Sequence, residues 1–167
     1  MAKSYQRFVE RIARTPLGTR VFLPLITVVD RVLIRRSGGR VTSGIGTTWG
    51  KDVCLLTMIG AKTGKVRTVP LLATLVGDDV ILIASQGGAE KNPAWYHNLK
   101  KNPDCEVELH GVSTRRRARE AESDERDRLW SAACANYAGY DDYQARTARR
   151  IPVMILERVP KSQLPPL

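Results

Sequence analysis

Two short stretches of this 167-residue chain combine glycines, cations and small hydroxyl residues at spacings that suit a bound anion. The first is Gly60-Ala61-Lys62-Thr63-Gly64-Lys65-Val66-Arg67, two glycines and three basic side chains between apolar runs. Glycine permits positive φ and close backbone approach, and Lys62 and Arg67 suit phosphate oxygens. It is not a Walker A loop: Gly60 and Gly64 stand one residue too close, and Val66 replaces the Ser/Thr. Taken alone, it reads first as a solvated basic hairpin. The second stretch, Ala84-Ser85-Gln86-Gly87-Gly88, leads through Asn92-Pro93 into Ala94-Trp95-Tyr96-His97-Asn98-Leu99. Helix N-termini attract anions, and Trp95 and Tyr96 are large enough to wall a planar ring, with core packing as the ordinary alternative. A third group, Tyr137, Tyr140 and Tyr143, recurs every three residues, broadly on one helical side, although Gly139 interrupts the helix. Packing is again the ordinary alternative.

Other chemistries lack their residues. His97 and His110 are the only histidines, and neither lies in a metal-ligand or nucleophile-elbow pattern. Cys54, Cys105 and Cys134 are odd in number and far apart, so they read as packing residues in a reducing cytoplasm. Arg115-Arg116-Arg117 lies on an alternating segment without interleaved aromatics, so a solvated strand face is preferred over a nucleic-acid site.

The elements that must position these groups follow from periodicity. Val53 to Ile59, Arg67 to Val76 and Val80 to Ser85 are rich in Val, Ile, Leu and Thr and bounded by glycine turns, which predicts strands. Pro93 opens a short helix over 94–100. Glu106 to His110 and Ser113 to Ala121 alternate around Gly111 as a hairpin. Ser123 is the expected N-cap of a helix reaching about Ala138, and Pro152 to Val159 is a last strand. About six mostly antiparallel strands with few flanking helices favour a small barrel over a doubly wound sheet.

The charge is uneven. The net value is +10, and residues 1–40 hold nine Lys/Arg against two Asp/Glu. Tyr5, Phe8, Val9 and Ile12 repeat at helical spacing there. Pro24 and Asp30-Arg31 interrupt the following apolar run too early for a membrane span. Residues 1–40 are thus expected to be a basic amphipathic helical segment, and 41–167 the barrel domain. Two readings of the segment stay open: a helix resting on an anionic membrane, or one packed on the barrel.

Read together, the motifs G-x-K-T-G-x-x-R, A-S-x-G-G-A-E-K-N-P and W-Y-x-N-L-x-x-N-P between Leu55 and Asp104 resemble the deazaflavin-dependent nitroreductases and quinone reductases of actinobacteria. Tyr137, Tyr140 and Tyr143-Gln144 before Arg150-Ile151-Pro152 extend the resemblance more weakly over about residues 45 to 157. The resemblance implies a split β-barrel, FMN-binding-like, that holds coenzyme F420 in a groove. It implies that Lys62, Thr63 and Arg67 face the cofactor's phosphate and acidic tail. Thr68, Val69, Pro70, Leu71 and Leu72 would line the groove, as would Ile83, Ala84, Ser85 and Gln86, and the helix start Ala94, Trp95, Tyr96, His97 and Asn98. Ala61 and Gln86 stand where relatives often carry basic residues.

The activity so implied is hydride transfer from reduced F420 to a menaquinone-like quinone or an activated nitro compound. Tyr140 would lie by ring and substrate as the catalytic candidate, orienting the acceptor more than acting as an acid, since an unperturbed tyrosine titrates near 10. Ser85 is the second candidate, as a solvent-linked proton source. The alternative is a barrel binding FMN, haem or a hydrophobic ligand without F420 turnover. Cytoplasmic localisation, peripheral contact with the inner membrane face, no metal and no nucleic-acid partner complete the expectation.

Overall fold

The structure, a computed structural model, describes residues 52–159. The expected N-terminal segment lies outside these residues. The strands are β1 (Val53–Ile59), β2 (Val66–Leu72), β3 (Thr74–Val76), β4 (Asp79–Ile83), β5 (Asp104–Leu109), β6 (Val112–Glu120) and β7 (Val153–Arg158). The helices are α1 (Ala94–Lys101), α2 (Ser123–Asn136) and α3 (Gly139–Ala145), with a 3-10 turn at Gln86–Gly88. All strands join one antiparallel sheet in the order β2-β1-β5-β6-β7-β4-β3.

That order dictates the shape. β2 and β3 are separated in the chain by Ala73 alone, yet they sit at opposite ends of the sheet. The sheet must therefore curl until its two edges meet at Ala73, and a split half-barrel results. The expected strand 67–76 is thus two strands, making seven rather than about six. Ala73 is fully buried and donates its N–H to Asp52 O at 2.8 Å, which carries the β1–β2 register one residue further before Thr74 turns to pair with β4.

Two cores flank the wall. Val80, Leu82, Met154 and Leu156 face one of them, with Cys54, Leu56 and Met58 of β1 and Val107 of β5. Ile81, Ile83, Val153 and Ile155 face the other, beneath Leu129, Ala133 and the three tyrosines. β4 and β7 read as continuous apolar runs because helices cover the second face, whereas β1 alternates buried and half-buried. Trp95 and Leu99 of α1 enter the first core, and each contributes roughly 1.5–3 kcal/mol by burial.

Two local expectations are corrected. Ser123 begins α2 with φ 48° and makes no side-chain capping bond; Glu122 occupies the cap position. Within the arginine triplet, alternation turns Arg116 inward. It is 8% exposed, and its guanidinium donates to Asp78 O (2.7 Å), Leu156 O (2.9 Å) and Thr114 Oγ1 (3.1 Å). Arg117, on the outer side, pairs with Asp104 at 2.8 Å. A buried guanidinium satisfied by carbonyls is a strut, not a solvated face.

Candidate active site cleft

β3 pairs with β4 only from Thr74↔Ile81 to Val76↔Asp79, while β2 turns away to pair with β1. Two arms therefore diverge from a vertex at Ala73. One arm runs back along β2 from Leu72 to Thr68; the other runs from Leu82 through Ile83 and Ala84 to Ser85. Among the described residues neither arm has a strand between it and the other. Pro70 sits on the β2 edge, where its missing N–H leaves no ladder bond unmade. Thr68, Val69, Pro70, Leu71 and Leu72 are all half-buried, while Ile83, Ala84 and Ser85 are buried. Thr68 Oγ1 hydrogen-bonds Thr57 Oγ1 at 2.9 Å, which fixes its rotamer. Asn136 Nδ2, from the end of α2, donates to Ala73 O and Thr74 Oγ1, both at 3.0 Å, and pins the vertex.

At the open end of the β2 arm lies the basic loop. Gly64 adopts φ 64°, and Gly60 and Gly64 close the turn by backbone bonds of 2.9 Å. Asn98 Oδ1 accepts from Ala61 N–H at 2.9 Å, and Lys101 Nζ donates to Ala61 O at 2.8 Å, so α1 holds the loop in place. Lys62, Thr63, Lys65 and Arg67 are exposed, and none of the three cations forms an ion pair with another described residue.

The second loop closes the other arm. Gln86, Gly87 and Gly88 all have positive φ (46°, 66° and 82°). A Cβ on Gly88 would stand 2.6 Å from Tyr143 O, so only glycine lets the loop press against α3. The Ser85 hydroxyl makes no hydrogen bond to another described residue, although Ser85 is only 8% exposed. Arg149 ties this loop down; the pair Arg149-Arg150 before Ile151-Pro152 carries no sequence signal of that role.

The helix-start residues divide. Asn98 braces the basic loop; Ala94 and His97 are exposed; Trp95 belongs to the first core. Tyr96 is half-buried and donates its hydroxyl to Glu120 Oε2 at 2.9 Å, with His97 edge-on at 5.3 Å. Burial, reinforced by Glu120, pushes the Tyr96 phenol up to about 12. Tyr137 ends α2, and Tyr140 and Tyr143 lie on α3; all three are buried together, the Tyr137 and Tyr143 hydroxyls 3.1 Å apart. Tyr140 is packed edge-on against Tyr137 at 5.2 Å, and burial raises its phenol well above the ordinary value. Cys54 and Cys105 are buried and pushed up to about 12 chiefly by desolvation, as inert packing thiols are. No group of His, Cys, Asp or Glu among the described residues is arranged to hold a metal ion.

Comparison with known proteins places this geometry. An F420H(2)-dependent quinone reductase of Mycobacterium tuberculosis is 41% identical over 107 residues, covering 62% of this chain and 72% of that protein. The structure of an F420-H2 dependent reductase, FDR-A, superposes with a TM-score of 0.60 at 42% identity, covering 63% of this chain and 93% of that chain. A heme binding protein from Mycobacterium smegmatis shares the fold at 17% identity and a TM-score of 0.51, over 65% of this chain and 46% of that one. The family model for F420H(2)-dependent quinone reductase matches residues 30–158, well over half the sequence, and the chain belongs to that family of oxidoreductases.

Proposed function

We propose that this chain oxidises reduced coenzyme F420 and delivers the hydride to a quinone, holding the cofactor in the cleft that opens from Ala73. The observation that carries the reading is the distribution of groups along that cleft. Its arms are mostly apolar, the β2 arm half-buried and the other buried, and its open end carries exposed cations without ion-pair partners among the described residues. An elongated ligand with a flat ring and an anionic tail fits that distribution, and F420 is such a ligand.

Lys62, Thr63 and Arg67 would hold the phosphate and acidic tail, Lys62 and Arg67 by charge and Thr63 by its hydroxyl. Thr68 to Leu72 and Ile83 to Gln86 would flank the ring; Asn98 keeps the basic loop in register, and Ala94 to His97 border it. Bound there, reduced F420 supplies a hydride, and the protein's task is orientation and exclusion of water. The apolar arms exclude water from the ring face. Tyr140, protonated throughout the neutral range because burial raises its pKa, can donate a hydrogen bond to an acceptor oxygen but cannot serve as a base. Ser85 offers a buried hydroxyl with no competing partner among the described residues, suited to handing on a solvent proton.

The same cleft is proposed to admit activated nitro compounds. The basic segment at residues 1–40 is proposed to rest on an anionic membrane, where a quinone dissolves. Among the described residues no helix is long and apolar enough to cross one. A liposome pull-down with the full-length protein, lost at high salt and on deletion of residues 3–36, supports this; equal soluble fractions for both proteins sink it.

Titration with oxidised F420 and, separately, FMN tests the cofactor assignment through fluorescence quenching. Saturable quenching of F420 is expected. Tight FMN binding with no response to F420 overturns it. Turnover with reduced F420 and a menaquinone analogue then tests the acceptor.

A further inference from the structure

We propose that Arg149 is a positioning residue for the cleft, clamping the loop that carries Ser85 and Gln86 to the helix that carries Tyr140. The functional consequence rests on the F420 reading above; the clamp itself does not. Arg149 Nε donates to Ala89 O at 2.8 Å and Nη1 to Asn92 Oδ1 at 2.6 Å. Nη2 donates to Ser85 O at 2.8 Å and Ala84 O at 3.1 Å. One planar guanidinium thus gathers acceptors from both ends of the 84–92 segment, a span that a single ammonium nitrogen cannot reproduce.

The clamp is itself held. Gln144 of α3 donates from Nε2 to Arg149 O at 2.8 Å and accepts Ile151 N–H on Oε1 at 2.9 Å, so the backbone carrying Arg149 is fastened to α3. From the other side, the loop meets α3 directly at Gly88, under Tyr143 O. Loop and helix therefore form one unit with Arg149 as its polar cross-link. Such a cross-link is needed, because Gln86 holds a left-handed φ of 46° that a non-glycine residue keeps only when its surroundings impose it. Without the guanidinium, three backbone carbonyls lose donors and Gln86 is free to relax. The Ser85 wall of the cleft then loses its fixed relation to Tyr140.

The test uses full-length Arg149→Lys and Arg149→Ala, with amide hydrogen exchange and F420 titration. Gly88 and Ala89 N–H, bonded to Ser85 O and Gln86 O, are expected to exchange at least tenfold faster in both variants, while β7 amides stay protected and report an intact core. The F420 Kd is expected to rise at least tenfold, and millimolar guanidinium, but not ammonium at equal ionic strength, restores part of the affinity of Arg149→Ala. If Arg149→Ala does not fold, Arg149→Lys carries the test. Unchanged loop exchange overturns the proposal, and so does a loosened loop with wild-type F420 affinity. A loop that loosens in a protein whose wild type binds no F420 supports the clamp and sinks the cofactor reading instead.

Discussion

At the residue scale, Tyr140 combines a packed ring with an idle hydroxyl. The ring sits between Tyr137, Tyr143 and Trp130, while the hydroxyl makes no hydrogen bond to another described residue. Removing a polar group that lacks a partner is close to neutral for stability. The unfolding free energy of Tyr140→Phe is therefore expected to lie within about 0.5 kcal/mol of wild type. If the hydroxyl orients the acceptor, quinone kcat/KM falls about three- to tenfold, the worth of one neutral hydrogen bond, with KM for reduced F420 unchanged. Wild-type quinone turnover in this variant would remove Tyr140 from the acceptor side. The thiols give a second prediction, on pH. Burial raises Cys54 and Cys105 from 9.0 to about 12, so the fold favours their neutral forms. Their stabilising contribution is complete below the unfolded value and is lost as pH rises from there toward about 12. Urea midpoints should decline above pH ~9. Cys54→Ala should lower the midpoint at neutral pH yet flatten that alkaline decline; an equally steep decline would assign the slope elsewhere.

At the scale of elements, the vertex at Ala73 governs the cleft, and Asn136 holds the vertex. Asn136→Ala deletes two donated bonds and leaves Ala73 O without that donor at a buried position, a loss of about 1–3 kcal/mol. Differential scanning calorimetry should record a melting point lowered by several degrees; an unchanged one would show that the strand break holds itself. This vertex also marks where the sequence stops being legible. Most strands, the hairpin over His110-Gly111 and helices α1 and α2 follow from alternation and turn chemistry, which are local, whereas α3, which restarts at Gly139, does not. Ala73 is invisible to such rules, because what divides β2 from β3 is an exchange of partner, from β1 at Leu72 and Ala73 to β4 at Thr74, which only the sheet's topology sets. The inward turn of Arg116 is half legible: alternation requires one of the three arginines to face the core side, but only the fold supplies the carbonyls of Asp78 and Leu156 that receive it. The basic loop and the Ser85 loop stand out from residue type. Arg149 does not, since its partners lie about sixty residues upstream and one member of an Arg-Arg pair ordinarily reads as surface. The sequence places Trp95 on a helix but leaves its burial in the first core open, because an aromatic that fills a core and one that lines a groove look alike in sequence.

For the whole molecule, charge placement decides how an anionic cofactor is drawn in. Residues 52–159 carry sixteen Lys/Arg against fifteen Asp/Glu, so the folded domain is nearly neutral, and most of the +10 belongs to the segments on either side of it. A neutral domain exerts little long-range pull, and at 0.15 M salt exposed charges are screened beyond about 8 Å. Within the folded domain, attraction of F420 is then local, and the cations without described ion-pair partners at Lys62, Lys65 and Arg67 are where it would act. The acidic residues around β6 are already engaged: Asp104 with Arg117, Glu120 with Lys100, and Glu125 and Glu157 with Arg119, so they do not offset the loop. It follows that the F420 Kd should rise with salt between 0.05 and 0.5 M, by about tenfold for a ligand held by two or three exposed charge-assisted bonds. Lys62→Ala with Arg67→Ala should weaken binding at low salt at least as much and leave the remaining affinity nearly independent of salt. Both side chains are exposed, so the double variant should keep the wild-type unfolding free energy within about 0.5 kcal/mol. A salt slope that survives the double substitution would place the cofactor's tail on other cations and move the anionic end of the site away from the Gly60–Arg67 loop.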